Sequence, residues 1–211
     1  MVIVGAGGHA LELLDVLVSD NRSDGLFFFD NLTSSKNRLF AGYSILRTES
    51  ELITELRRDP TVILGTGNVH HRRALAEYCE KLGGKLMSVV SSTSHISKLN
   101  VTLGQGVNVM RNVMIGPGAT IGEGTLVNAH VLIHHESVIG EYCEICPGVI
   151  IAGNVSIGDN TMIGAGAVIL PKIRIGNNVT VGAGAVVLGD IVDDIVVVGN
   201  PARIASKKLD N

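Results

Sequence analysis

From Leu103 to Val187 every sixth residue is Leu, Val or Ile, giving fifteen hexads in unbroken register, ten of them on Ile. Four residues after each aliphatic stands a second, smaller or β-branched residue, from Val107, Val113, Ala119 and Thr125 to Ala185 and Ile191. Polar residues and glycine fill the places between. A fixed short period of this kind marks a solenoid, whose repeats bury their apolar faces only by stacking on one another. Six residues are too few for a helical period and fit one short β-strand with a corner. At ~3.3 Å per residue a hexad spans roughly 20 Å, so three flat faces close a coil of about eighteen residues. Fifteen hexads then predict five coils, stacked about 4.8 Å apart in parallel register. Strand alternation points the aliphatic and the residue two before it inward. In eight hexads glycine directly follows the aliphatic (Gly104, Gly116, Gly122, Gly140, Gly158, Gly164, Gly176, Gly182). These glycines are expected at corners where a Cβ would clash or φ is positive.

The first ninety residues follow other periods. Val2-Ile3-Val4 is a short apolar run ending in Gly5-Ala6-Gly7-Gly8-His9-Ala10. A helix-period segment follows, with Leu11, Leu14 and Val18 on its apolar side and Glu12 and Asp15 opposite. Leu26–Phe29 is a second apolar run, closed by Asp30-Asn31. A helical stretch near 49–58 leads into Thr61–Leu64 and then Gly65-Thr66-Gly67-Asn68. Another helix carries Arg72, Arg73, Leu75, Ala76 and Tyr78, stops at Gly83-Gly84, and precedes a strand near 85–90. Strands alternating with helices predict a small parallel α/β unit with ligands at the carboxyl ends of its strands. The predicted organisation is a Rossmann-like domain over 1–90 and a β-solenoid domain over 91–211.

Composition narrows this picture. Aromatics are 3% of the chain and Trp is absent, in keeping with a narrow core of Ile and Val. A formal charge of −3 supplies no basic field for nucleic acid. No apolar run reaches the ~18–20 residues of a membrane span, so no membrane insertion is expected. Met1 is followed directly by Val2-Ile3-Val4-Gly5, without a charged region and apolar stretch of the signal-peptide kind; a cytoplasmic protein is expected. Cys79, Cys143 and Cys146 make no disulfide framework. Cys143 and Cys146 form a lone CxxC without the second pair of a zinc site. Cys143 takes the small inward slot of its hexad, so packing is the simpler reading.

The GAGGHA segment has the form GxGxxA, directly after a strand and opening a helix, with Asp30 about twenty residues on. Free N–H groups at a helix start bind phosphate. A tight turn without a ligand is the plainer alternative. Fewer than ninety residues supply only half of a doubly wound NAD domain, so a nucleotide-sugar fits better.

A module of this size ahead of a hexapeptide solenoid resembles one acyltransferase family across essentially the whole chain. That family comprises the acetyl-CoA-dependent N-acetyltransferases of nucleotide-linked 4-amino-4,6-dideoxysugars and the sialic acid O-acetyltransferases. The resemblance is carried by the Gly7-Gly8-His9 turn, the His135-Glu136 pair and the closing Gly199-Asn200-Pro201-Ala202-Arg203. It implies a left-handed parallel β-helix, a homotrimer, acetyl-CoA lying along the solenoid between subunits, and no metal. It further implies His135 as general base with Glu136 as its partner. Histidine suits such a role because its ordinary pKa lies near working pH. His134 is the rival ring. The family often has a second histidine nine residues after the base, where this chain has Glu144. The remaining matches for acetyl-CoA are Gly153, Ala165 and Ala183. For the nucleotide-sugar they are Gly7, Gly8, His9, Asp30, Asn31, Gly67 and Asn68. Lys172 and Arg203 are weaker candidates for coenzyme phosphates.

The implied reaction is acetyl transfer to the 4-amino group of a UDP- or dTDP-linked sugar, in the biosynthesis of surface polysaccharide or another glycan. The alternative within the family is O-acetylation of a sialic acid. Two readings from other classes are a zinc hydrolyase using His130, His134 and His135, and a non-catalytic scaffold. Adjacent histidines in one corner converge poorly with a third on one metal at about 2.0–2.1 Å. The solenoid's outward Met114, Met162, Val168 and Val186 leave an apolar excess that predicts self-association.

Overall fold

The computed structural model describes residues 1–32 and 39–207. The chain divides into two compact units, Met1–Val89 and Val90–Asn211.

The first unit runs β1 (Val2–Val4), α1 (Gly8–Ser19), β2 (Phe27–Phe29), β3 (Leu39–Phe40), β4 (Tyr43–Leu46), α2 (Glu49–Leu56), β5 (Thr61–Leu64), α3 (Val69–Lys81) and β6 (Lys85–Leu86). The sheet order is β3-β4-β2-β1-β5-β6. Its pairs are parallel except β3 with β4. β1 lies at the centre, and Val2, Ile3 and Val4 are wholly buried, as continuous apolar runs in parallel sheets are. β3 and β4 are an addition to the elements expected from sequence. Ala41 and Gly42 both take positive φ, +49° and +86°, forming a two-residue hairpin turn whose first position is seldom alanine. α2 begins in a capping box between Thr48 and Glu51, the reciprocal pairing that satisfies two orphan donors. α1 corrects the expected apolar face. It buries Ala10, Leu13, Leu14 and Leu17 while Leu11 and Val18 are exposed. The helix is apolar on both sides, and sheet packing rather than sequence selects the buried one.

The second unit is a three-faced parallel β-solenoid. One face stacks Asn108–Val109, Leu126–Val127, Glu144–Ile145, Met162–Ile163 and Thr180–Val181. The second stacks Met114–Ile115, Leu132–Ile133, Ile150–Ile151, Val168–Ile169 and Val186–Val187. The third stacks Thr102–Leu103, Thr120–Ile121, Val138–Ile139, Ser156–Ile157 and Arg174–Ile175. Each aliphatic pairs with the one eighteen residues on, as Ile115 does with Ile133 and Ile133 with Ile151. The inward second residues, from Val107 to Ala185, are buried, Cys143 among them.

The stack extends beyond the hexads legible in sequence. His95–Ile96 pairs with Met114–Ile115, so the coil starts earlier with one extra residue before Leu103. At the far end Val181 pairs with Val197, two residues short of the period. An antiparallel strand, Arg203–Lys207, closes that edge.

The two causes expected for glycine at the corners fall at different positions. Positive φ recurs at every sixth residue from Asn100 to Gly184, and from Gly106 on it stands three places after the aliphatic rather than one. Glycine and asparagine hold most of these fifteen corners, and His130, Glu136, Tyr142 and Lys172 hold the other four. The glycines directly after the aliphatics serve close approach instead. A Cβ on Gly122 would stand 2.5 Å from the carbonyl carbon of Gly140 in the next coil.

Candidate active site

In the first unit, a cleft of about 480 Å³ opens at the carboxyl ends of β1 and β5. It is lined by Gly5 to His9, Asp30, Leu32, Gly65 to Gly67, His71, Ala74 and Leu75. Of the sequence candidates it gathers Gly7, Gly8, His9, Asp30 and Gly67. Asn31 and Asn68 are not in its wall; Asn68 instead caps α3 by accepting the His71 N–H at 3.1 Å. Leu32, His71, Ala74 and Leu75 carry no motif, and only the fold brings them to the cleft.

The glycines here have different causes. Gly5 takes φ +106° and a Cβ on it would stand 3.1 Å from the Gly65 carbonyl oxygen, while a Cβ on Gly65 would meet Ile3 and the Val4 carbonyl oxygen. Those two let β1 and β5 end side by side. A Cβ on Gly7 or Gly8 would meet nothing within 4 Å among the described residues, so none of these requires glycine there. Gly7 is also the N-cap of α1 and makes no side-chain cap. A bare, uncapped helix start beside a cleft suits an anionic ligand.

Charges around the cleft are held in place. Buried Arg72 donates to the carbonyls of Leu64 at 3.2 Å and Thr66 at 2.7 Å, fixing the turn after β5. Asp30 pairs with Arg47 at 3.0 Å and accepts the Leu32 N–H at 3.0 Å. His9 Nε2 is buried with no hydrogen-bond partner among the described residues. Burial, reinforced by the Arg72 cation, pushes its pKa down to about 3, leaving the ring neutral at working pH.

In the second unit, His135 and Glu136 occupy the corner after Ile133. His135 Nδ1 lies 3.3 Å from Glu136 Oε2, with the two side chains 54% and 65% exposed. Asn154, one coil on, donates to the same Glu136 oxygen at 3.2 Å. The His135 ring rests over Gly153, where any Cβ would collide with it. His134 is exposed, and its ring makes no hydrogen bond among the described residues. His130 sits at a left-handed corner, φ +60°. Among the described residues no three His, Cys, Asp or Glu side chains are grouped to hold a metal.

The residues matched to acetyl-CoA stand on different corners of the coil. Gly153 shares the corner of His135. Ala165 and Ala183 are exposed on the corner after the face that bears Glu144, one stacked above the other. Glu144 pairs in the ladder between Leu126 and Met162. The thiol of nearby Cys146 is pushed up to about 12 by burial and by the Glu144 charge. Cys143 and Cys146 are free thiols; Cys143 Sγ donates to the Gly158 carbonyl at 3.1 Å, a packing role. Lys172 is a left-handed corner residue, φ +64°, and Arg203 donates to the Ala202 carbonyl at 2.8 Å.

Residues 1–79 match the PglD N-terminal domain, and residues 100–135, 136–171 and 154–189 match the bacterial transferase hexapeptide (six repeats). A similar solved structure is a histidine-to-asparagine mutant of perosamine N-acetyltransferase from Caulobacter crescentus, in complex with CoA and GDP-perosamine. It is 28% identical with a TM-score of 0.89, over 98% of this chain and 96% of that one. The chain belongs to the hexapeptide-repeat sugar acetyltransferases. Its solenoid is accordingly a left-handed parallel β-helix. This acetyltransferase is also similar to the acetyltransferase domain of PglB from Neisseria gonorrhoeae in complex with acetyl coenzyme A. That match has 29% identity and a TM-score of 0.87, over 96% of this chain and 97% of that one. WeeI from Acinetobacter baumannii matches at 28% identity and a TM-score of 0.80, over 96% and 98%. No curated protein matches the sequence. Among the described residues no helix is long and apolar enough to cross a membrane.

Proposed function

We propose that this acetyltransferase moves the acetyl group of acetyl-CoA to the 4-amino group of a nucleotide-linked 4-amino-4,6-dideoxysugar, with UDP or dTDP as the nucleotide. The observation that carries the reading is the 3.3 Å contact between His135 Nδ1 and Glu136 Oε2. A carboxylate accepts only, so Nδ1 holds the proton and Nε2 is left with the lone pair. Nε2 takes a proton from the sugar amine as its nitrogen attacks the thioester carbonyl. The new C–N bond forms, the C–S bond breaks, and the proton passes on to the departing thiolate of CoA. Glu136 holds the ring's tautomer and stabilises the imidazolium that forms. The ring of His134 has no such partner among the described residues.

The cleft beside Gly7 and Gly8 supports a nucleotide-sugar as acceptor, its phosphates meeting the start of α1. Asp30, in the cleft wall, contributes a carboxylate to it. The exposed, nearly side-chain-free corners at Ala165 and Ala183 leave a pantetheine arm unobstructed.

The test is release of free thiol from acetyl-CoA with UDP-, dTDP- and GDP-linked 4-amino sugars and, in parallel, free and CMP-linked sialic acid. Turnover with a UDP- or dTDP-linked amino sugar is expected. Turnover confined to the sialic acids would overturn the acceptor assignment.

A further inference from the structure

Glu136 is held from one coil further along the stack, and by a residue no motif singles out. We propose that Gly153-Asn154 is a positioning seat for the His135-Glu136 pair, a role that rests on the general-base reading above.

Three contacts converge there. Asn154 Nδ2 donates to Glu136 Oε2 at 3.2 Å and lies 3.5 Å from His135 Nδ1. Glu136 Oε2 thereby faces two donors, the imidazole and the amide, rather than water alone. Beneath them, the Cα of Gly153 is the floor on which the imidazole lies, and a Cβ there would drive the ring off it. The seat is fixed by the backbone: the Asn154 N–H donates to the His135 carbonyl at 2.9 Å. Coil stacking therefore carries position 154 to the corner of 135 and 136.

Its chemistry follows from exposure. Both members of the pair face solvent, where a carboxylate samples many rotamers and a weak hydrogen bond is readily lost. A second donor on the same oxygen confines Glu136 to the rotamer that meets Nδ1. Asn154 touches neither reacting atom, so it is a positioning residue and acts through Glu136.

Asparagine is also common at these left-handed corners, where it tolerates positive φ. The two roles separate with glycine, which suits φ +60° at least as well and lacks the amide. Asn154→Gly is expected to melt at or above the wild-type temperature, to keep KM for acetyl-CoA, and to lose about five- to ten-fold in kcat, the scale of one ordinary hydrogen bond. Glu136→Gly likewise suits its corner's φ of +56°. In that background Asn154→Gly is expected to have no further effect, since the group it orients is gone. Wild-type kcat in Asn154→Gly, or an equal loss in both backgrounds, would overturn the seat. His135→Ala is the control: if it is inactive while Asn154→Gly is unimpaired, only the seat fails. If His135→Ala itself turns over normally, the base assignment fails and the seat with it.

Discussion

At the scale of single residues, two histidines in this protein are set to opposite ends of their range of use. His135 stands in solvent on a carboxylate, the setting of the base proposed above. Its replacement by alanine is expected to lower kcat by ~10²–10⁴-fold, the usual worth of general-base catalysis, with acetyl-CoA binding unchanged by calorimetry. His134→Ala is expected near wild type, and the reverse pattern would transfer the role to that ring. His9 is the other extreme. Its pKa falls from 6.5 to about 3 in the folded chain, so the unfolded chain takes up a proton first as pH drops. Stability is therefore full above pH 6.5 and declines as pH falls towards 3, by at most about 1.4 kcal/mol per pH unit. Melting temperatures at pH 7, 6 and 5 should fall more steeply in wild type than in His9→Asn. Parallel slopes would place the imidazole in water.

At the scale of elements, glycine identity sorts by cause, and substitutions should expose the difference. Gly122→Ala forces a Cβ against the Gly140 backbone and is expected to destabilise the solenoid by about 1–3 kcal/mol, as overpacking does. Gly148 has φ +71° and no neighbour within 4 Å of a Cβ among the described residues, so Gly148→Asn should melt close to wild type. A thermal scan of the pair checks both. Gly7→Val places its Cβ clear of the described residues, so it should lose only the ~1 kcal/mol of a poorer helix cap, yet raise KM for the nucleotide-sugar several-fold.

The hexads made the solenoid legible because only stacked coils can bury an aliphatic at every sixth place. The same rule failed at its ends, where one extra residue before Leu103 and two missing before Val197 shift the phase while preserving the pairing. Of the cleft, the glycine turn and Asp30 had sequence signals. His71 and Leu75 had none, since a helix face becomes a wall only once α3 packs on the sheet. Asn154 was masked by being one corner asparagine among several.

At the scale of the whole molecule, the apolar surface is unevenly spread over the three faces. The third carries Thr102, Thr120, Ser156 and Arg174 outward, with Val138 as an exception at 47% exposed. The second carries Met114, Leu132, Ile150, Val168 and Val186 in one unbroken outward column, Ile150 37% exposed. Such a stripe on a flat β-face is the kind of surface that closed symmetric assembly covers. The corner after that face holds His135, whereas Ala165 and Ala183 lie on the corner before it, roughly 20 Å away by strand length. If the proposed site uses both corners, a neighbouring copy is expected to complete it. Light scattering at micromolar concentration is expected to give three times the 22.2 kDa chain mass. Ile150→Glu, a charge in the middle of the stripe, should shift the protein towards monomer and remove most turnover while the far-ultraviolet spectrum stays β-rich. A monomeric wild type with full activity would place both halves of the site on one chain.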